Sequence, residues 1–202
     1  MEFEKALMAR RMVRNFKSDL IPEHLLETIV ASSLRTPSAG FTQGVELVVL
    51  QGNETHTYWE CTTTEQWRKS TSRKGLFNAP VVIILICDPE AYAARYSEPD
   101  KAESGLGAIG AWDVPYWWMD TGMTAFALML SAFDKGLGAG FLGMFRGEKE
   151  LMGALEVPSR MRCGGAVLMG HPAKPDPLSK SAARGRRPPA EIVHRTKWSA
   201  PR

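Results

Sequence analysis

The sequence predicts a single domain in which helices and strands are mixed, extended by a basic C-terminal arm. The 202 residues, 44% hydrophobic and 23% charged, suffice for one buried core and fall short of two domains of typical size. Short apolar, often β-branched runs at 45–50, 81–87, 141–145 and 165–170 read as strands, spaced by segments with three- and four-residue apolar periodicity. From Pro172 onward eight Lys or Arg stand against Asp176 and Glu191, so the net charge of +3 divides into +6 for the arm and −3 for residues 1–171.

Each element follows from local chemistry. Phe3, Ala6 and Leu7 share a helical face that runs into Arg10 and Arg11, cations that complement a helix C-terminus. Pro22 opens a second helix with Leu25, Leu26, Ile29 and Val30 on its apolar face, and Pro37 stops it. The run 45–50 is a strand; 81–87, between Pro80 and Asp88-Pro89, is a second strand buried on both faces. Between them 55–72, with Trp59 and Trp67 in a polar setting, reads as helical. A short helix at 89–96 precedes a Gly-rich charged loop at 97–111, the type of segment that moves over a site. Trp112, Pro115, Trp117 and Trp118 lead into an apolar helix whose core, 121–133, is shorter than the roughly 20 residues a bilayer span needs. Apolar nearly all round, it needs cover on every side, and a second copy of the chain is the expected source. Strands at 141–145 and 165–170, a helix at 148–155 ended by Pro158, and a strand at Glu191-Ile-Val-His194 complete the reading.

Several functional classes are excluded at this level. A mildly acidic body with a local basic arm lacks the domain-wide positive face of a nucleic-acid binder, and no membrane partner is expected. Residues 1–17 have no apolar stretch of signal-peptide type, and Cys61, Cys87 and Cys163 form neither a CxxC motif nor a disulfide framework, so a cytoplasmic protein is expected. His24, His56, His171 and His194 show no metal spacing. Gly105-x-Gly107-x-x-Gly110 and Gly138-x-Gly140-x-x-Gly143 lack the strand-before, helix-after context through which a helix N-terminus binds a dinucleotide pyrophosphate.

The chemistry concentrates elsewhere. Arg10, Arg11 and Arg14 place three guanidiniums within five residues, which repel unless an anion or carboxylates neutralise them; their planar donor forks suit a phosphate dianion. Between helix and strand lies Arg35-Thr36-Pro37-Ser38-Ala39-Gly40-Phe41-Thr42-Gln43-Gly44, a turn-rich loop in which Gln43 offers both donor and acceptor to a pyrimidine-like ring edge. A second basic cluster, Arg184-Gly185-Arg186-Arg187, lies in the arm.

Taken in order, these pieces resemble the FMN-dependent nitroreductase family. Its opening Arg-Arg-Ser-x-Arg-x-Phe pattern is similar to residues 10–16, its Pro-Ser-x-x-Asn-x-Gln loop to 37–43, its Gly-Leu-Gly segment to 136–143 and its Gly-x-Pro strand to 167–172. Met12 stands where the family has Ser, and Phe41 where it has Asn. The resemblance implies an α+β fold: a three-layer sandwich with a mixed, mostly antiparallel sheet flanked by helices, in a homodimer with exchanged arms. Residues 1–171 would form the FMN-binding domain, and 172–202 an extension completing the flavin site and the dimer. Arg10, Arg11 and Arg14, the Met12 backbone, and Arg186 or Arg187 would hold the FMN phosphate and ribityl chain. Pro37, Ser38 and Gln43 would line the flavin, with Ser38 reaching the one bound by the partner subunit, and Phe141, Leu142 and Gly143 would wall its ring. Phe41, Trp112, Trp117 and Trp118 would face the substrate. The implied activity passes hydride from NADH or NADPH through flavin to a small acceptor such as a nitroaromatic, quinone or activated carbonyl, with no side chain acting as nucleophile or base. The alternative is a flavin-sequestering protein with little turnover.

Overall fold

The computed structural model describes residues 2–175 and 181–198. The elements run α1 (Phe3–Ala9), α2 (Glu23–Ser33), β1 (Val45–Gln51), α3 (Thr55–Thr62), α4 (Glu65–Ser70), β2 (Val81–Cys87), α5 (Pro89–Tyr96), α6 (Tyr116–Asp134), β3 (Gly138–Leu142), α7 (Glu148–Ala154), β4 (Arg162–Gly170) and α8 (Pro189–Ile192). The strands form one sheet in the order β1-β2-β4-β3, each pairing antiparallel. β2 has both neighbours and is buried along its whole length, which is why its sequence is a continuous apolar run rather than an alternating one.

Strand alternation sorts the core into two layers. Val81, Ile83 and Leu85 point, with Val167 and Met169, at Leu26 and Ile29 of α2 and Ala125 and Leu128 of α6. Val82, Ile84 and Ile86 point the other way, with Leu168, at Tyr58 and Trp59 of α3 and Leu151 of α7. The result is the expected α+β sandwich of three layers, helices over both faces of a sheet. Among the described residues no helix is long and apolar enough to cross a membrane.

Three expectations need correction. The segment 55–72 is two helices, because Thr64 leaves the helical conformation and its side chain accepts from Trp67 N, capping α4. The strand expected at 141–145 lies at 138–142, pairing Gly138 with Gly170 through Leu142 with Ala166. Propensity overlooks glycine, yet at Gly140 a Cβ would sit 2.3 Å from the Val13 carbonyl oxygen, so only glycine lets the two backbones meet. Of the strand expected at Glu191-Ile-Val-His194, the first two residues close the short, exposed helix α8 and Val193 and His194 follow outside any element. Pro189 sits at the first turn of α8, and Arg187 donates to the Glu191 carbonyl at 2.9 Å, favouring a compact turn, and no described strand pairs with it.

Candidate functional site: an arginine strap beside a cavity

α1 ends at Ala9, one residue short of the arginines, and Arg11 Nη1 closes it by donating to the carbonyls of Met8, Ala9 and Arg10 at 2.8, 3.1 and 3.0 Å. The chain then extends along the free edge of β3. Met12 bridges Ala139 in parallel, Val13 N donates to Ala139 O at 2.9 Å, and Phe16 N donates to Gly75 O at 3.0 Å. Residues 10–16 are thereby a strap stitched to the sheet edge, with Phe16 fully buried as its anchor.

Arg10 is the unusual member. Its Nε and Nη1 are buried and have no hydrogen-bond partner. Burial first, then Arg11 and Arg186, push its pKa below the ordinary arginine value. A half-buried guanidinium with two idle donors among like charges carries an electrostatic cost that an anion would offset. Arg186 of the arm adds the smallest part of that effect, whereas Arg187 pairs with Glu191 at 3.3 Å.

Beyond the end of β3 the chain from Leu142 to Arg146 forms one wall of a cavity of about 560 Å³. α3 and α4 form the opposite wall with Tyr58, Trp59, Thr63 and Trp67, and Arg73 lies on the segment that follows. Its size suits a small organic ligand. Leu142 and Gly143 thus border this cavity, and Phe141, pairing with Val167, sits one step inside the sheet. Tyr58, whose phenol burial pushes up to about 12, stays neutral at physiological pH.

The loop of residues 37–43 stands at the other end of the construction. It leads into β1, one edge of the sheet, while the strap lies on β3, the opposite edge. Gly40, Phe41 and Gln43 take positive φ of 60°, 55° and 54°, a conformation that costs energy for the two non-glycine residues. Several bonds hold the turn: Ser38 Oγ accepts from Gln43 N at 2.9 Å, Arg95 Nε donates to Gly40 O at 2.9 Å, and Ala39 N donates to Asp120 Oδ2 at 3.0 Å. Asp120 is 3% exposed and also accepts from Tyr92 Oη at 2.7 Å. Burial, then that bond, raises the Tyr92 pKa, so the phenol remains a donor. An acid at the head of an otherwise apolar helix is the sequence signal of such a brace.

The tryptophans divide. Trp112 and Trp117 are buried around Tyr92, and Trp112 Nε1 donates to Leu106 O at 2.9 Å. Trp118 points outward, 42% exposed, and Phe41 is 74% exposed. Within one chain none of these lines the cavity beside the strap, nor do Pro37, Ser38 or Gln43. Trp59, which does, was passed over because its helix reads as polar.

Fold and site together define an α+β sandwich with an arginine-bearing strap along one sheet edge and a ligand-sized cavity beyond the end of β3. The nitroreductase family profile matches residues 7–171, and the chain belongs to the nitroreductase family. Solved structures share the fold: CinD from Lactococcus lactis, a nitroreductase in complex with nicotinic acid, is 15% identical with a TM-score of 0.77, covering 97% of this chain and 100% of its own. A putative nitroreductase from Desulfovibrio desulfuricans, in complex with FMN, is 20% identical with a TM-score of 0.69, covering 98% and 99%. A curated relative, NADH dehydrogenase of Thermus thermophilus, is 30% identical over 104 residues, 48% of this chain and 44% of the relative, so the match spans less than half of that protein.

Proposed function

We propose that this protein is an FMN-dependent oxidoreductase that draws hydride from NADH or NADPH and reduces a small organic acceptor such as a nitroaromatic, a quinone or an activated carbonyl. The observation that supports it most directly is Arg10, a half-buried side chain whose Nε and Nη1 are shielded from solvent and lack partners while Arg11 and Arg186 oppose its charge. These residues fit the phosphate of a flavin mononucleotide. Bound there, FMN supplies the two-electron chemistry, which leaves the protein the tasks of binding, orienting and shielding.

In this reading Arg10, Arg11 and Arg14 hold the phosphate end, with Met12 offering backbone and Arg186 closing from the arm. Phe141, Leu142 and Gly143 wall the ring where the cavity begins. Because the loop with Pro37, Ser38 and Gln43 sits at the opposite sheet edge of its own chain, a second copy must bring it to the flavin, and the working unit is a homodimer. The exposed apolar stripe of α6, with Trp118, Met119, Met123 and Phe126, supports that pairing. Phe41 and Trp118 face the acceptor, while Trp112 and Trp117 stiffen the support beneath them. The three free thiols accord with a cytoplasmic, reducing setting.

The test is the visible spectrum of the purified protein, followed anaerobically on addition of NADH and then NADPH. A yellow protein of two-chain mass that bleaches with one donor and recovers on adding a nitroaromatic or quinone is expected. Yellow protein that does not respond to either donor would favour flavin sequestration, and a colourless protein that takes up no added FMN would remove the basis of the proposal.

A further inference from the structure

The loop of residues 37–43 is gripped at one set of residues and strained at another. α6 holds two of them: Asp120 Oδ2 accepts from Ala39 N at 3.0 Å, and the hydroxyls of Thr124 and Thr36 are hydrogen-bonded at 3.2 Å. α5 and its capping residue hold two more. Arg95 Nε donates to Gly40 O and Asp88 N donates to Gly44 O, both at 2.9 Å. A Cβ on Gly40 would stand 2.7 Å from the Tyr96 ring, and one on Gly44 2.5 Å from the Tyr92 ring, so both rings press on loop backbone. The strained non-glycine residues, Phe41 and Gln43, lie between Gly40 and Gly44, and both are exposed. A left-handed conformation at such residues persists only where the surroundings over-determine it.

Two side chains carry much of this grip. Asp120 Oδ2 takes both Ala39 N and, at 2.7 Å, Tyr92 Oη, and so ties the loop, α5 and α6 together in the interior. Beyond Gly40, Arg95 forms a bidentate pair with Asp100, 2.7 Å on each nitrogen, which fixes its guanidinium against the 97–111 loop. From these contacts we infer that Asp120 and Arg95 are positioning residues, which lock the 37–43 loop so that Phe41 and Gln43 are held in one shape before flavin or acceptor arrives. The inference rests on the oxidoreductase reading, in which this loop serves the flavin of a second copy. Ordering a free loop on binding lowers affinity, whereas a loop ordered in advance by its own chain does not. Neither residue touches flavin or acceptor in this account; each acts through the loop.

The experiment titrates FMN into the full-length apoprotein, following flavin fluorescence, and records amide exchange over residues 38–44 and the mass of each variant. Asp120→Ala removes both bonds and is expected to weaken FMN about tenfold and to speed loop exchange about tenfold. Asp120→Asn, whose carbonyl oxygen can accept both bonds, should restore affinity to within about twofold. Should Asp120→Ala fail to fold, Arg95→Gln, at a half-buried position, carries the same test with an expected loss of about threefold. Gln43→Ala separates positioning from general stability. It should weaken FMN about fivefold in the wild type and by less than about twofold once Asp120→Ala or Arg95→Gln has released the loop. Additive losses would overturn the inference, as would wild-type affinity in the folded variants or loss of FMN through dissociation to single chains. In each of those cases the wild type still binds flavin, and the oxidoreductase reading stands. A wild type that takes up no FMN would end both.

Discussion

The two faces of the sheet are built from the same strands and finished differently. Odd-numbered residues of β2 meet α2 and α6 in a layer whose buried members are Ile, Leu, Val, Ala and Met, side chains with nothing left to satisfy. Even-numbered residues meet α3 and α7 in a layer that includes Tyr58 and Trp59, aromatics with polar tips, and that opens into the cavity. Between the sheet and its helices the first face is filled. The second contains an indole N–H without a partner and borders a cavity, so one sheet serves as closed scaffold on one side and as a cavity wall on the other.

Removing bulk from the closed face should have the largest effect. Leu128→Ala, at a fully buried position of α6, is expected to lower stability by about 3 kcal/mol in urea titration, with flavin bound per folded molecule unaltered. If flavin is lost in parallel with stability, the faces are not separable. Arg10→Met tests the converse: FMN retention should weaken by about 2–3 kcal/mol while the apoprotein keeps or gains stability, because burial and neighbouring cations already disfavour the charge. Calorimetric FMN binding and apoprotein melting measure the two halves.

Alkaline titration probes burial on both sides. Burial pushes the Cys87 thiol up to about 11 and the Tyr58 phenol up to about 12, above their ordinary values of 9.0 and 10.0. The unfolded chain releases these protons first, so the native state binds more protons and its stability falls with rising pH, beginning near pH 9. Cys87 should account for a loss on the order of 2 kcal/mol by pH 11, and Cys87→Ala should flatten that part of the curve whatever its stability at neutral pH. The smallest effect is expected from Thr64→Ala, which removes the cap of α4 and should cost about 1 kcal/mol, felt as faster amide exchange in the first turn of α4 beside the cavity.

Legibility followed the same division. β2 and α6 could be read because a segment covered on both sides must be apolar throughout, and α2 because its stripe faces one layer. β3 was displaced by three residues, since Gly138 and Gly140 belong to the sheet for reasons of clearance from Val13 that no propensity encodes. The strap was legible as charge, in Arg10, Arg11 and Arg14, but not as geometry: that two Arg10 nitrogens are shielded and that Arg11 turns one nitrogen to the helix carbonyls depends on where α1 stops. Trp59 was hidden by its neighbours in sequence, which are polar because they cap, turn and face solvent, and its role emerges only when α3 folds onto β2. The arm misled because β-branched Ile192 and Val193 suggest a strand, whereas Pro188 and Pro189 start a helical turn with no sheet edge beside it.

The strap has one more consequence. β3 is the last strand of the sheet, and an uncovered last strand offers its backbone to any other extended chain. Residues 12 and 13 occupy that edge, with Val13 N bonded to Ala139 O. The segment that concentrates positive charge therefore also protects the sheet from intermolecular strand pairing, and a substitution that lifts it, such as Gly140→Ala, would expose an aggregation-prone edge in the same step that disperses the arginine cluster.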